Sequence, residues 1–378
     1  MHFEEMLTLL LHKGASDIHL HAGMPVLARI GDELKTVSRS TITPEFTASL
    51  VEKLCTPQQQ ARLRTLRQVD VAYSLPGLTR LRVNLFYQRG SISAVLHVLS
   101  SQDADLGKVD LKPEHLEFFR DQTRGLVLVT GPIGAGKSTT LARLVDEINT
   151  HHTRIIVTVE DPIEYLHRPK RSAVVQREIG SDAVSYEKAL LAAMRQNADV
   201  IVIGEIRDQA TAAAVLNAVY TGHLVLSTFV SSDSSSVLNR MLELFSQTER
   251  NINRVLLAES LLGIIHQWLV PTIHGDRLPV MEVIPITPRI REALKQPSQT
   301  DRLREVLREQ GLEGYQSFDQ NLLTLYRKGL VDYQTARLHS QNPTQLELTI
   351  LRQSDGYSNE TKARLGCAWV GFTRKVQV

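Results

Sequence analysis

Residues Gly131 to Ser138 read G-P-I-G-A-G-K-S, the spacing that cradles a polyphosphate. Gly131, Gly134 and Gly136 let the backbone turn its N–H groups inward, which a residue with Cβ resists. A helix opening at Lys137 aims its positive end at the same point and completes an anion site. Lys137 is placed to reach the β- and γ-phosphates of ATP, and the Ser138 hydroxyl to hold Mg²⁺. Ala135 and Thr139 complete the expected nucleotide-binding set. A glycine-rich turn with a chance lysine gives the same letters. The flanks argue against that, because Gly125–Thr130 reads as a strand and Thr139–Val145 as a helix.

Three clusters downstream narrow the chemistry. Val159-Glu-Asp-Pro-Ile-Glu-Tyr165 puts acids on a loop, because Pro162 stops the preceding strand. A carboxylate there can orient water for attack on a γ-phosphate. Asp199-Val-Ile-Val-Ile-Gly-Glu-Ile-Arg-Asp208 is an apolar strand ending in Glu205, a carboxylate suited to the Mg²⁺ shell, as a Walker B strand provides. Thr221-Gly-His223 precedes the strand Leu224–Thr228 and is expected to bring an imidazole toward the γ-phosphate. Taken singly, these are ordinary features: loop acids, a Glu205–Arg207 surface pair, a turn histidine. With the phosphate loop on one sheet edge they form a hydrolytic site.

These residues need a scaffold. Between about 113 and 285, strand candidates 127–130, 154–159, 200–204 and 224–228 alternate with helices. That order predicts an α/β fold with a parallel sheet and a ligand at the strands' carboxyl ends. Residues 1–100 carry short alternating segments and a helical stretch near 44–67, a smaller α+β domain. A polar linker at 101–112, a core at 113–288, a helical charged region at 289–345 and an aperiodic tail at 346–378 complete the organisation. At 378 residues and 42% apolar, the chain can fill two or three cores. Its apolar runs are shorter than a membrane span, its start is unlike a signal peptide, and two cysteines, Cys55 and Cys367, suit a cytoplasmic location. A net charge of +2 and 5% aromatics give no footprint of direct nucleic-acid binding.

The motifs together resemble the secretion-type ATPase superfamily and, within it, the PilT-like pilus retraction ATPases. The matching pieces run in family order from residue 15 to about 340: A-S-D-I-H-L, R-V-N at 82–84, the phosphate loop, E-D-P-I-E-Y, Q-R-E at 176–178, G-E-I-R-D and T-G-H-L-V-L-S-T. Ile290-Arg-Glu-Ala-Leu294 partly matches a C-terminal retraction motif. The resemblance implies a PAS-like N-terminal domain, a RecA-like core and a hexameric ring with nucleotide between the two domains. It implies Glu164 as general base, Glu205 as Walker B acid and His223 as first residue of a histidine box. Arg80, Arg82 and Arg89 are the implied phosphate-sensing arginines, with Arg195 and Arg207 as further candidates.

The chain departs from the pattern at five places, one of them Asn197-Ala198 in place of an acidic-proline pair. Val230 stands where the second histidine of the box is expected, and Leu191 where an arginine is; Ile133 and Tyr220 replace a common Thr and Glu. Valine neither titrates nor donates a hydrogen bond, so a slowed ATPase is expected.

The leading expectation is a hexameric retraction motor that closes about the linker near 100–112, sits peripherally at the inner membrane and acts on a pilus platform protein. The alternatives are an accessory paralogue of the PilU kind working with a second pilus ATPase, or a related secretion or conjugation ATPase. Assembly ATPases with a four-cysteine zinc insert are excluded, because two distant cysteines cannot build that site.

Overall fold

The computed structural model describes residues 3–31, 33–75, 78–98, 106, 109–296 and 314–354. Two sheets organise these residues. The first is an antiparallel sheet of β1 (Ala15–His21), β2 (Pro25–Ile30), β3 (Glu33–Thr41), β4 (Gln68–Leu75), β5 (Thr79–Gln88) and β6 (Ser91–Val98), in the order β3-β2-β1-β6-β5-β4. Its residues alternate as a half-buried sheet requires. Ile18, Leu20, Leu81, Val83, Leu85 and Leu96 pack against α1 (Phe3–His12), α2 (Pro44–Leu54) and α3 (Pro57–Leu66) through Leu7, Leu50 and Leu63. The opposite face carries polar pairs: Asp17 with His97 at 2.8 Å, and Asp70 with Asn84 at 3.2 Å.

The helical stretch expected near 44–67 is two helices. Each starts with threonine followed by proline, and Thr56 forms a reciprocal capping box with Gln59, which fixes the second helix start.

The second sheet contains β7 (Gly125–Gly131), β8 (Ile155–Glu160), β9 (Ala173–Glu178), β10 (Val200–Ile203), β11 (Leu224–Val230), β12 (Leu261–Pro271) and β13 (Arg277–Pro285). Their order is β13-β12-β7-β11-β10-β8-β9, parallel except for β13. Helices α4 (Pro113–Arg120) and α5 (Lys137–His151) cover one face through Phe119, Leu141 and Ile148. Helices α6 (Tyr186–Met194), α7 (Gln209–Tyr220), α8 (Val237–Glu243) and α9 (Arg250–Ser260) cover the other through Leu190, Val215, Leu238 and Leu257. Coverage on both faces explains why β7 is buried at every residue.

The alternating pattern anticipated β7, β8, β10 and β11. The structure adds β9, a half-apolar edge strand, and the β12–β13 hairpin, whose first strand follows α9 with no intervening turn.

Beyond the sheet come α10 (Pro288–Lys295), α11 (Phe318–Arg327), α12 (Tyr333–His339) and α13 (Pro343–Ser354). Leu322, Leu325, Leu346 and Ile350 bury against Val270 and Val280 of the hairpin. Helix α13 therefore continues past residue 345, where an aperiodic tail was expected; Leu346 and Ile350 are an i, i+4 pair too short to register as a period. Most of the linker 101–112, the closure assigned to it, and residues 355–378 lie outside the described residues. Among the described residues no helix is long and apolar enough to cross a membrane.

Candidate nucleotide site

Because β7, β8, β10 and β11 run parallel, their carboxyl ends share one edge, and the sequence turns there into its glycine-rich loop. Gly131 has φ 146°, and a Cβ on it would stand 2.3 Å from the Gln267 carbonyl, so the loop lies directly on β12. Gln267 fixes it further: its buried Nε2 donates to the Ala135 carbonyl at 2.6 Å. Next to it, His266 Nδ1 lies 3.0 Å from Thr130 Oγ1, and Trp268 Nε1–H donates to His266 Nε2 at 3.1 Å. An indole N–H only donates, so Nε2 accepts and Nδ1 carries the hydrogen toward Thr130. Burial pushes the His266 pKa down to about 4, which keeps the ring neutral beneath the loop.

From Lys137 the chain enters α5, whose N-terminus faces a cleft of about 590 Å³. Residues 134–139, Glu160, Asp161, Glu164, Glu205, Arg207, Thr228 and Val230 line it. Lys137 Nζ donates to the carbonyls of Gly131 at 3.2 Å and Pro132 at 2.8 Å. Burial lowers its pKa, and the charges of Glu205 and Glu164 oppose that shift. Glu205 pairs with Arg207 at 2.7 Å. Burial works against the Arg207 charge, but its bond to Glu205 outweighs this and leaves its pKa above the ordinary value.

Glu164 lies on the loop after β8. Its N–H points to Glu160 Oε2 at 3.4 Å, and Glu160 accepts from the Thr158 hydroxyl at 2.7 Å and from Gln176 Nε2 at 3.1 Å. Burial raises the Glu160 carboxyl pKa. The Thr139 and Tyr165 hydroxyls meet at 2.7 Å and join this loop to α5. Ser138 and Glu205 offer hard oxygen donors to one cleft, the donor chemistry Mg²⁺ takes, so these residues fit that ion.

The structure brings the phosphate loop, Glu164, Glu205 and Arg207 together. It does not bring His223 to them. A residue just before a parallel strand sits at its amino end, about 23 Å along β11 from Val230 at ~3.3 Å per residue. There the imidazole Nδ1 lies 3.0 Å from the Ala218 carbonyl and 3.1 Å from Thr221 Oγ1. The expected approach of His223 to the γ-phosphate is thus corrected by strand polarity.

Arg195 caps α6 and is exposed, ahead of the amino end of β10, so it too stands at the far edge. The three N-terminal arginines do not converge either. Arg89, at φ 49°, and Gly90 form the β5–β6 turn. Arg89 is nine residues from Arg80, about 30 Å along the strand at ~3.4 Å per residue. Arg82 pairs with Asp70 at 3.6 Å. Arg80 alone reaches the second sheet, with Nη2 2.5 Å from Glu178.

Sequence reading missed Gln267 and His266, which reach the loop through strand adjacency across some 130 residues. It also passed over the work of Gln176, whose Nε2 donates to the Tyr165 carbonyl at 2.7 Å while its Oε1 accepts from the His167 N–H at 2.8 Å. The Q-R-E motif marked that residue without giving its role.

Comparison with known proteins gives the family. The family model described as type II/IV secretion system protein matches residues 2–311. The chain is 33% identical over 343 residues to the type IV pilus retraction ATPase PilT of Pseudomonas aeruginosa, covering 91% of this chain and 99% of that one. It is 34% identical over 351 residues to the type IV pilus ATPase PilU of the same organism, covering 93% and 91%. A crystal structure of the pilus retraction motor PilT with bound ADP superposes with a TM-score of 0.81 at 36% identity, covering 92% of this chain and 99% of that one.

Proposed function

Because the chain belongs to the type II/IV secretion system protein family, we propose that it is an ATP-hydrolysing motor of type IV pilus retraction, working as a homo-hexamer. One observation carries the reading: the phosphate loop, Glu164 and Glu205 line a single cleft at the carboxyl edge of a parallel sheet. The loop N–H groups and Lys137 hold the β- and γ-phosphates. Glu164 accepts the proton of the attacking water. Ser138 and Glu205, partly through water, hold Mg²⁺, which when bound neutralises charge on the phosphate oxygens.

The same reading assigns a PAS-like domain to residues 1–100, the linker to 101–112, a RecA-like ATPase core to 113–288, a helical region to 289–345 and the rest to a tail. It places the motor on the cytoplasmic side, peripheral at the inner membrane, acting on the pilus platform protein. The separate cores of the two sheets support the division, and the ADP-bound PilT neighbour supports the nucleotide.

A second reading has one observation in its favour. Val230 lines the cleft at the position where the resemblance implies the second histidine of the box, and the chain is as similar to PilU as to PilT. An accessory subunit that depends on a second pilus ATPase fits both facts. Steady-state hydrolysis by wild type, Lys137→Ala and Glu164→Gln, with oligomeric mass measured in the same samples, separates the two. Turnover by a hexamer, lost in both variants, establishes an autonomous motor. Turnover appearing only after a partner ATPase is added establishes the accessory.

A further inference from the structure

Glu178, the last residue of β9, is 4% exposed, and an anion so placed needs charged or hydrogen-bonding partners. Its Oε2 has two, from different parts of the molecule. One is the backbone N–H of Ile163 at 3.1 Å, the residue immediately before Glu164. The other is Arg80 Nη2 at 2.5 Å, from β5 of the antiparallel sheet. The Arg80 Nη1 donates to Ser74 Oγ at 3.1 Å, which anchors the guanidinium on its own sheet. The Glu178 N–H donates to Asp182 Oδ2 at 2.9 Å, so the strand end is also held from behind.

A single carboxylate oxygen therefore joins the antiparallel sheet to the loop that carries the water-activating glutamate. We propose that Arg80 and Glu178 are a positioning pair: Arg80 holds Glu178, Glu178 holds the Ile163 N–H, and Glu164 is set for hydrolysis only while the antiparallel sheet is docked. This rests on the ATPase reading of the site and deepens it. Arg80 acts through the loop in this arrangement, since its Nη2 is spent on Glu178. Loss of Arg80 leaves a buried carboxylate without its cation, and the loop is the part that gives way.

Two measurements on the full chain test the pair. Hydrogen exchange without nucleotide is expected to quicken by about tenfold over residues 160–168 in Arg80→Ala and to stay unchanged in β7, β10 and β11. Unchanged exchange at 160–168 overturns the pair whatever the enzyme's activity. For turnover, Arg80→Ala and Glu178→Gln are each expected to lower kcat about tenfold with the KM for ATP within about twofold, and the double variant to fall no further than the worse single one. Arg80→Lys, which keeps the charge, is expected to restore part of the loss and guards against a variant that merely misfolds. Losses that multiply, or a KM that rises with Arg80→Ala, overturn the pair and make Arg80 a phosphate ligand. A wild-type chain that turns over while these patterns fail sinks only the pair. A wild-type chain that does not turn over sinks the autonomous ATPase, and the exchange result then decides the pair by itself.

Discussion

The two edges of the seven-stranded sheet are built from the same kind of sequence and do different work. At the carboxyl edge, β7, β8, β10 and β11 end in the glycine loop, Glu160, Glu205 and Val230, and their side chains line one cleft. At the amino edge, the residues preceding β8, β10 and β11 bond neighbouring segments of the scaffold. Asp199 accepts the Ile155 N–H at 2.8 Å, and His223 turns its ring back onto the end of α7. Parallel strands give every strand the same direction, so a motif's side of its strand decides whether it meets nucleotide. Proximity of motifs along the chain does not decide it.

The largest effect should come from the carboxyl edge. Glu205→Gln is expected to lower kcat by about a hundredfold or more, because it removes the anionic donor to the Mg²⁺ that would neutralise charge on the phosphates. ATP turnover at saturating Mg²⁺ measures it. A loss under about threefold would break the contrast between the edges, since charge-removing changes at transition-state sites cost far more.

The support beneath the loop predicts a pH dependence. His266 has a folded pKa of about 4, below its unfolded value, so between the two the unfolded chain binds more protons. Stability therefore rises with pH across that window and is lost as pH falls from about 6.5 toward 4. From pH 7 to pH 5 this one group should cost about 2 kcal/mol. Thermal melts at both values, in wild type and His266→Gln, test the assignment; a slope that survives the substitution unchanged assigns it to other groups.

Gln267 should matter less to stability than to nucleotide affinity. Gln267→Leu removes the donor to the Ala135 carbonyl and leaves the shape, so the loop loses its tether. An ATP KM raised about tenfold with kcat little changed is expected, about 1.4 kcal/mol of binding. Steady-state kinetics resolve this. A fall in kcat with KM unchanged would mean that β12 shapes the transition state instead of the binding loop.

How much of this was legible depended on what each residue answers to. The strand-loop-helix at 125–145 declares itself because its glycines, lysine and flanking apolar runs are local. Glu164 and Glu205 were singled out by motif, and both line the cleft. Gln267 and Glu178 were not legible in role, because each acts across a strand or sheet contact that no local spacing records. Arg89 and Arg80 look alike in sequence, yet one forms a hairpin turn and the other faces a buried carboxylate. The placement of His223 was legible in principle. Gly222 and His223 precede an apolar run parallel to β7, and that order alone puts them at the amino edge.

His223 gives the finest test of the two-edge contrast. Its Nδ1 sits 3.0 Å from the Ala218 carbonyl, near the end of α7, where carbonyls lack intrahelical partners. Its value here is the hydrogen bond and the turn it closes, a net contribution of about 1 kcal/mol. His223→Ala should lower the melting temperature by about 2–4 °C, as expected for that energy in a domain of this size. His223→Asn should recover most of it, because its amide N–H can reach the same carbonyl. Turnover should follow stability: restored in Asn, and in Ala lowered only as far as folding is. An imidazole that touched phosphate would behave otherwise, since asparagine neither carries its charge nor titrates with it. Loss of turnover in both variants at an unchanged melting temperature would place a chemical role on the amino edge, and the partition between the edges would then have to be drawn across neighbouring subunits instead of within one chain.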